Sequence, residues 1–107
     1  MLEIAYHFYV LPRHHTHFRH AYQTTHFTLQ QIAGLASHRF SPPQGRHDAF
    51  TLRLIWHSRA CFDLFTRTWF GVWLVNGMGL SPDALTAPIQ TDVKHPLSLE
   101  QTGGQAA

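Results

Sequence analysis

The sequence predicts an α+β domain, an antiparallel sheet with one main helix, and three observations carry that expectation. Leu2 to Leu11 is dense in aromatic and β-branched residues and stops at Pro12, as a strand does. Phe50 to His57 alternates apolar with polar over most of its length, the period of a half-buried strand. Between them Phe27, Ile32, Leu35 and Ala36 fit helical spacing, behind a Thr24 or Thr25 able to cap a helix.

Taken in order, the first strand gives way at Pro12 to a turn, and the helix runs from about Thr24 to about His38. Gly34 inside it costs about 1 kcal/mol relative to alanine. Ser41-Pro42-Pro43-Gln44-Gly45 is a loop that no helix can cross. After the second strand the reading divides. Phe62, Phe65, Trp69, Val72 and Asn76 alternate spacings of three and four, which suits a buried helix. Against that, Thr66 to Val75 is rich in strand formers and Gly71 weakens a helix interior, which favours a strand over Leu64 to Val75. Asn76-Gly-Met-Gly79 supplies a chain reversal, and one more strand is expected over Leu85 to Val93. The organisation expected is a single α+β domain over residues 1–95 and a flexible tail over 96–107.

Composition narrows the function classes. Apolar residues make up 44% of the chain and charged residues 13%, against roughly 25% charged in an average soluble domain. So little charge over so much apolar surface predicts a homodimer or tetramer. The arginines are scattered along the chain and form no basic stripe, which argues against nucleic acid as a partner. The one cysteine, Cys61, excludes an internal disulfide and suits a reducing interior. The apolar stretch from Phe62 to Leu80 is interrupted by Asp63 and Arg67 and falls short of the about 20 residues a membrane span needs. A cytoplasmic protein with no membrane partner is the expectation.

Five of the ten histidines crowd between Leu11 and Phe27. Neutral imidazoles ligate zinc, and His14, His17 and His20 would share a helix face, but no H-E-x-x-H motif or neighbouring cysteine completes a site. No metal is therefore assigned. Nucleophile signatures are absent too. There is no G-x-S-x-G elbow, and Gly77 and Gly79 precede Ser81-Pro82 where a phosphate loop would need a helix and a lysine.

The order of segments resembles the hot-dog fold of acyl-CoA thioesterases, in which a curved antiparallel sheet wraps one central helix. That family carries a turn of the type T-D-x-x-G-H-V-x-x-x-x-Y, and Thr16-His-Phe-Arg-His-Ala-Tyr22 sits in its place. Gln30-Gln31-Ile-Ala-Gly-Leu-Ala36 sits on the central helix, and Cys61-Phe-Asp-Leu64 takes the position of a second turn. The resemblance spans residues 4–81. It places the acid of the first turn at His17 and a helix carboxylate at Gln30 or Gln31, and it keeps Asp63.

The resemblance implies an acyl-thioester-binding protein needing no cofactor. Its hydrolytic activity would rest on a histidine base, His17 or His20, since imidazole titrates in the useful range. Tyr22, Phe27, Gln30, Gln31 and Asp63 would contact the ligand. Two other readings compete: a small non-catalytic interaction module, and a histidine-cluster metal binder.

Overall fold

The structure is a computed structural model that describes residues 1–45 and 48–94. Strand β1 spans Leu2–Phe8, helix α1 His15–Leu29, β2 Leu35–Ser41 and β3 Phe50–Trp56. Two short helices follow, α2 over Arg59–Thr66 and α3 over Trp69–Val75, and β4 over Gln90–Lys94 completes the sheet. The strand order is β2-β3-β1-β4 with every neighbouring pair antiparallel. This is the β-α-β-β-α-β ferredoxin-like topology, with its second helix broken in two.

The register explains which side the helices take. Leu2, Ile4, Tyr6 and Phe8 of β1 stand beside Trp56, Leu54, Leu52 and Phe50 of β3, and all eight are buried. The intervening residues face the other way. There Arg53 donates to Glu3 at 2.7 Å, and the His7 ring lies between Thr51 (3.1 Å) and Asp92 (2.7 Å). Period-two alternation thus makes one face apolar and the other polar. Both helical segments pack on the apolar face. Phe18 of α1 sits 5.1 Å from the Phe8 ring and 4.8 Å from Phe50, while Phe65 of α2 lies 4.9 Å from Trp56. Among the described residues no helix runs through the middle of a wrapped sheet, so the hot-dog expectation is corrected.

Three element expectations change as well. Helix α1 begins at His15, well before Thr24, and ends at Leu29. Pro12 opens a 3-10 turn that leads straight into it, a position where a missing N–H costs nothing. The stripe that fixes the helix is Phe18, Thr25 and Leu29, with Ala21 and Tyr22 partly buried beside it. Gly34 stands outside any helix at φ +88°, and a β-carbon there would lie 2.6 Å from Cys61 Sγ. Leu35 to about His38, read as the helix end, belongs to strand β2, Leu35–Ser41.

The stretch expected as a strand over Leu64 to Val75 is helical. Ser58 caps α2 by accepting from the Cys61 N–H at 3.2 Å, and Thr68 caps α3 by accepting from Gly71 N–H at 2.9 Å. Capping, with burial of Phe65 and Leu74, outweighs local strand preference; of the expected buried stripe, Trp69 and Val72 are exposed. The Asn76–Gly79 reversal is present, with Gly77, Met78 and Gly79 all at positive φ. The last strand is shorter and later than Leu85 to Val93; Leu85 makes only an isolated bridge with Val10. The expected tail at 96–107 lies outside the described residues. No helix among the described residues is long and apolar enough to cross a membrane.

The α2–α3 corner depends on Gly71, whose missing side chain lets Phe65 O approach. A β-carbon there would stand 2.0 Å from that oxygen. Gly71→Ala should therefore cost about 1–3 kcal/mol of stability by overpacking, read as a fall in the urea midpoint at unchanged slope.

Candidate functional site

Where α1 ends and α2 begins, the two helical segments diverge and leave a cleft over the Trp56 end of the sheet. One wall is Thr28 from the last turn of α1 with Ile32 and Ala33 beyond it; the other is Cys61, Leu64 and Phe65 of α2, closed by Thr68 and Phe70. Its volume is about 300 Å³, at the small end of ligand-binding pockets. The polar atoms on the walls are mostly occupied. The Thr68 hydroxyl donates to Phe65 O at 2.7 Å and accepts from Gly71, and Cys61 Sγ accepts from the Ser58 hydroxyl at 3.2 Å. What remains is apolar and partly aromatic, suited to a flat, uncharged molecule.

Two buried polar atoms on the apolar face of the sheet have no hydrogen-bond partner among the described residues: Trp56 Nε1 and the Tyr6 hydroxyl. Trp56 packs on Phe65, a wall of the cleft. Burial pushes the Tyr6 hydroxyl up to about 12, so at neutral pH it is a protonated donor. A second concavity of about 340 Å³ lies on the uncovered sheet face, lined by His7, Tyr9, Ser41, Thr51 and Arg53 among others. Of its side chains, Arg53 and His7 are already paired with Glu3 and Asp92 beside it. It reads as a solvated polar surface.

The residues singled out in the sequence lie apart from the cleft. His17 and His20 are exposed on the outer side of α1. Tyr22 stacks on Phe40 at 4.0 Å and its hydroxyl meets His38 Nδ1 at 3.3 Å. Phe27 is 68% exposed. Gln30 bonds to the His26 ring at 3.1 Å, Gln31 is exposed, and Asp63 accepts from Arg59 at 3.1 Å. The histidine-rich stretch disperses, since His15 turns inward to Val10 O at 2.9 Å while His17 and His20 face out. Among the described residues no three His, Cys, Asp or Glu side chains converge as a metal site. The cleft itself was missed because Ile32, Ala33, Leu64, Phe65 and Phe70 look like ordinary core. The one available signal was the helical spacing of Phe62 and Phe65.

No family model matches the sequence, and no curated protein does. Solved structures do. One described as an antibiotic biosynthesis monooxygenase aligns over 92% of this chain and 100% of its own, at TM-score 0.72 and 15% identity. Rv0793 from Mycobacterium tuberculosis aligns over 91% of this chain and 95% of its own, at TM-score 0.73 and 16% identity. A variant of SnoaB, a cofactor-independent oxygenase from Streptomyces nogalater, covers 91% and 93% at TM-score 0.70 and 9% identity. The fold is that of the antibiotic biosynthesis monooxygenases. This overturns the thioesterase resemblance together with the hydrolytic function drawn from it.

The unpaired Tyr6 hydroxyl gives a direct check on the core. Tyr6→Phe removes a buried donor without changing the packed ring, so stability should rise by about 1–3 kcal/mol in the protein free of ligand. Thermal and urea unfolding of the variant measure it; a loss of stability would mean that the hydroxyl has a partner.

Proposed function

We propose that this protein binds a flat, apolar, phenol-like molecule in the interhelical cleft and oxygenates it with molecular oxygen. The apolar cleft above Trp56 is the observation that carries the reading. The likeness in fold to SnoaB, itself described as a cofactor-independent oxygenase, supports the choice of reaction.

Electron balance names the substrate class. Converting a ring CH2 to a carbonyl removes four electrons, and reducing one O2 to the new carbonyl oxygen and one water consumes four. A substrate that supplies all of them needs no external reductant. It must form a stabilised carbanion that can pass an electron to oxygen, which calls for a carbon activated by neighbouring phenol or carbonyl groups. The proton leaves that carbon to solvent, the C–O bond forms as oxygen adds, the resulting peroxide anion takes a proton back from solvent, and loss of water from the hydroperoxide gives the ketone. The wall residues exclude water from the reacting carbon, and Phe65 and Phe70 offer ring faces for stacking.

Binding and turnover test the reading separately. 1-Naphthol should bind by calorimetry, and Ala33→Trp, which fills the cleft from its exposed wall, should weaken it about tenfold or more while leaving the unfolding midpoint close to wild type. Oxygen uptake with anthrone-like substrates should fall in the same variant. Equal binding by wild type and Ala33→Trp would remove the cleft from consideration.

Self-association is proposed alongside. Leu64, Trp69 and Val72 are exposed on α2 and α3, Trp69 at 78%, and the Trp69 ring stacks on Trp73. An apolar patch of this kind is usually covered by protein. Light scattering should give a dimer or tetramer mass, and Trp69→Lys with Val72→Lys should shift it toward the monomer.

A further inference from the structure

One contact ties the cleft to pH. His26 of α1 and His38 of β2 face each other with ring centroids 5.1 Å apart. All three residues that the α1 side gives to the cleft, Thr28, Ile32 and Ala33, lie between these histidines in the chain. The contact therefore bridges the two ends of that wall segment. Within it the chain turns back on short backbone bonds, Gln31 to Thr28 O (3.1 Å) and Ile32 to Leu29 O (3.3 Å), and its far end is tied to the sheet by Leu35 N–H to Ile32 O (3.3 Å) and His57 N–H to Gly34 O (2.9 Å).

We propose that the His26–His38 contact is a pH-sensitive clasp on the cleft: when both imidazoles are protonated they repel, the end of α1 lifts from β2, and the cleft loses affinity for its ligand. The affinity part rests on the cleft being the ligand site.

The surroundings leave the pair without a counter-charge. From α1, Tyr22 meets His38 through its hydroxyl, Gln30 bonds to the His26 ring, and Phe27 packs edge-on to it at 5.7 Å. From β3, the residue beside His38 is Leu54. The ion pairs among the described residues, His7–Asp92, Arg53–Glu3 and Arg59–Asp63, lie elsewhere. Burial and the neighbouring His26 both hold the His38 imidazole below its ordinary range, burial being the larger cause. A histidine whose folded value is depressed contributes stability that is complete above its unfolded value, about pH 6.5, and is lost as pH falls through the folded value. Acid therefore opens the clasp.

Two measurements test this on the intact protein. Calorimetry with 1-naphthol, uncharged throughout, should show affinity falling at least about threefold between about pH 7.5 and pH 5. His38→Gln and His26→Gln cannot hold the second charge, so in each the ratio should approach one. Dependence that survives in both variants would assign it to the other histidines and overturn the clasp. Hydrogen exchange of the unliganded protein reads the clasp without any ligand. Opening of residues 26–32, corrected for intrinsic rate, should increase in acid for wild type and not for His38→Gln. If naphthol fails to bind at any pH while exchange behaves so, the cleft reading fails and the clasp stands. If exchange is unchanged by pH, the clasp fails.

Discussion

The pairing of β1 with β3 sets every other feature of this protein. Its register brings Leu2, Ile4, Tyr6 and Phe8 level with Trp56, Leu54, Leu52 and Phe50, all on one face. A slip of one residue would turn that row to solvent and bring Glu3, His7 and Arg53 inward, so the register is strongly specified. With one face apolar and the other occupied by ion pairs, both helical segments have only one place to go. The strand order and the one-sided helical layer follow from that.

The same row explains why the cleft lies where it does. At the Phe8–Phe50 end, Phe18 fills the space between helix and sheet, backed by Phe40 at 6.0 Å. At the Trp56 end α1 has already stopped, Gly34 has turned the chain toward β2, and α2 is only beginning. Trp56 is covered there by Phe62 and Phe65, but nothing from α1 reaches across above them. The cleft is a consequence of where two helices stop and start. Its chemistry, apolar and nearly without charge, reflects the chain's shortage of ionisable side chains.

Parts of this were legible in advance. Strand β3 coincides with the alternation from Phe50 to His57, and the Asn76–Gly79 reversal is where its residues demand it. Helix α1 was misplaced because its first two turns, His15 to Ala21, hold three histidines and only one large apolar residue, Phe18, and because Pro12 reads as a stop. Only contact with Phe8 and Phe50 shows that Phe18 heads a buried stripe. For residues 59–75 the helical spacing and the strand-forming composition disagreed; helices form because Ser58 and Thr68 supply caps and the sheet offers a surface for Phe65 and Leu74, while Trp69 and Val72 of the expected stripe are exposed. The hot-dog resemblance failed for the same reason: it matched the order of segments, which several α+β folds share, without the strand pairing that separates them.

By itself, the sequence determined an α+β chain with strands at both ends of its first half. These properties are local or additive, written in alternation, turn residues and composition. Tertiary structure alone decided which strands pair, that all helices share one face, and that Ile32 and Phe65 border a cleft while His17 and His20 point to solvent. It alone brought His26 to His38 across two elements. Such contacts join residues distant in sequence, and no local pattern specifies them; they appear only when the buried face of the sheet has chosen what lies on it.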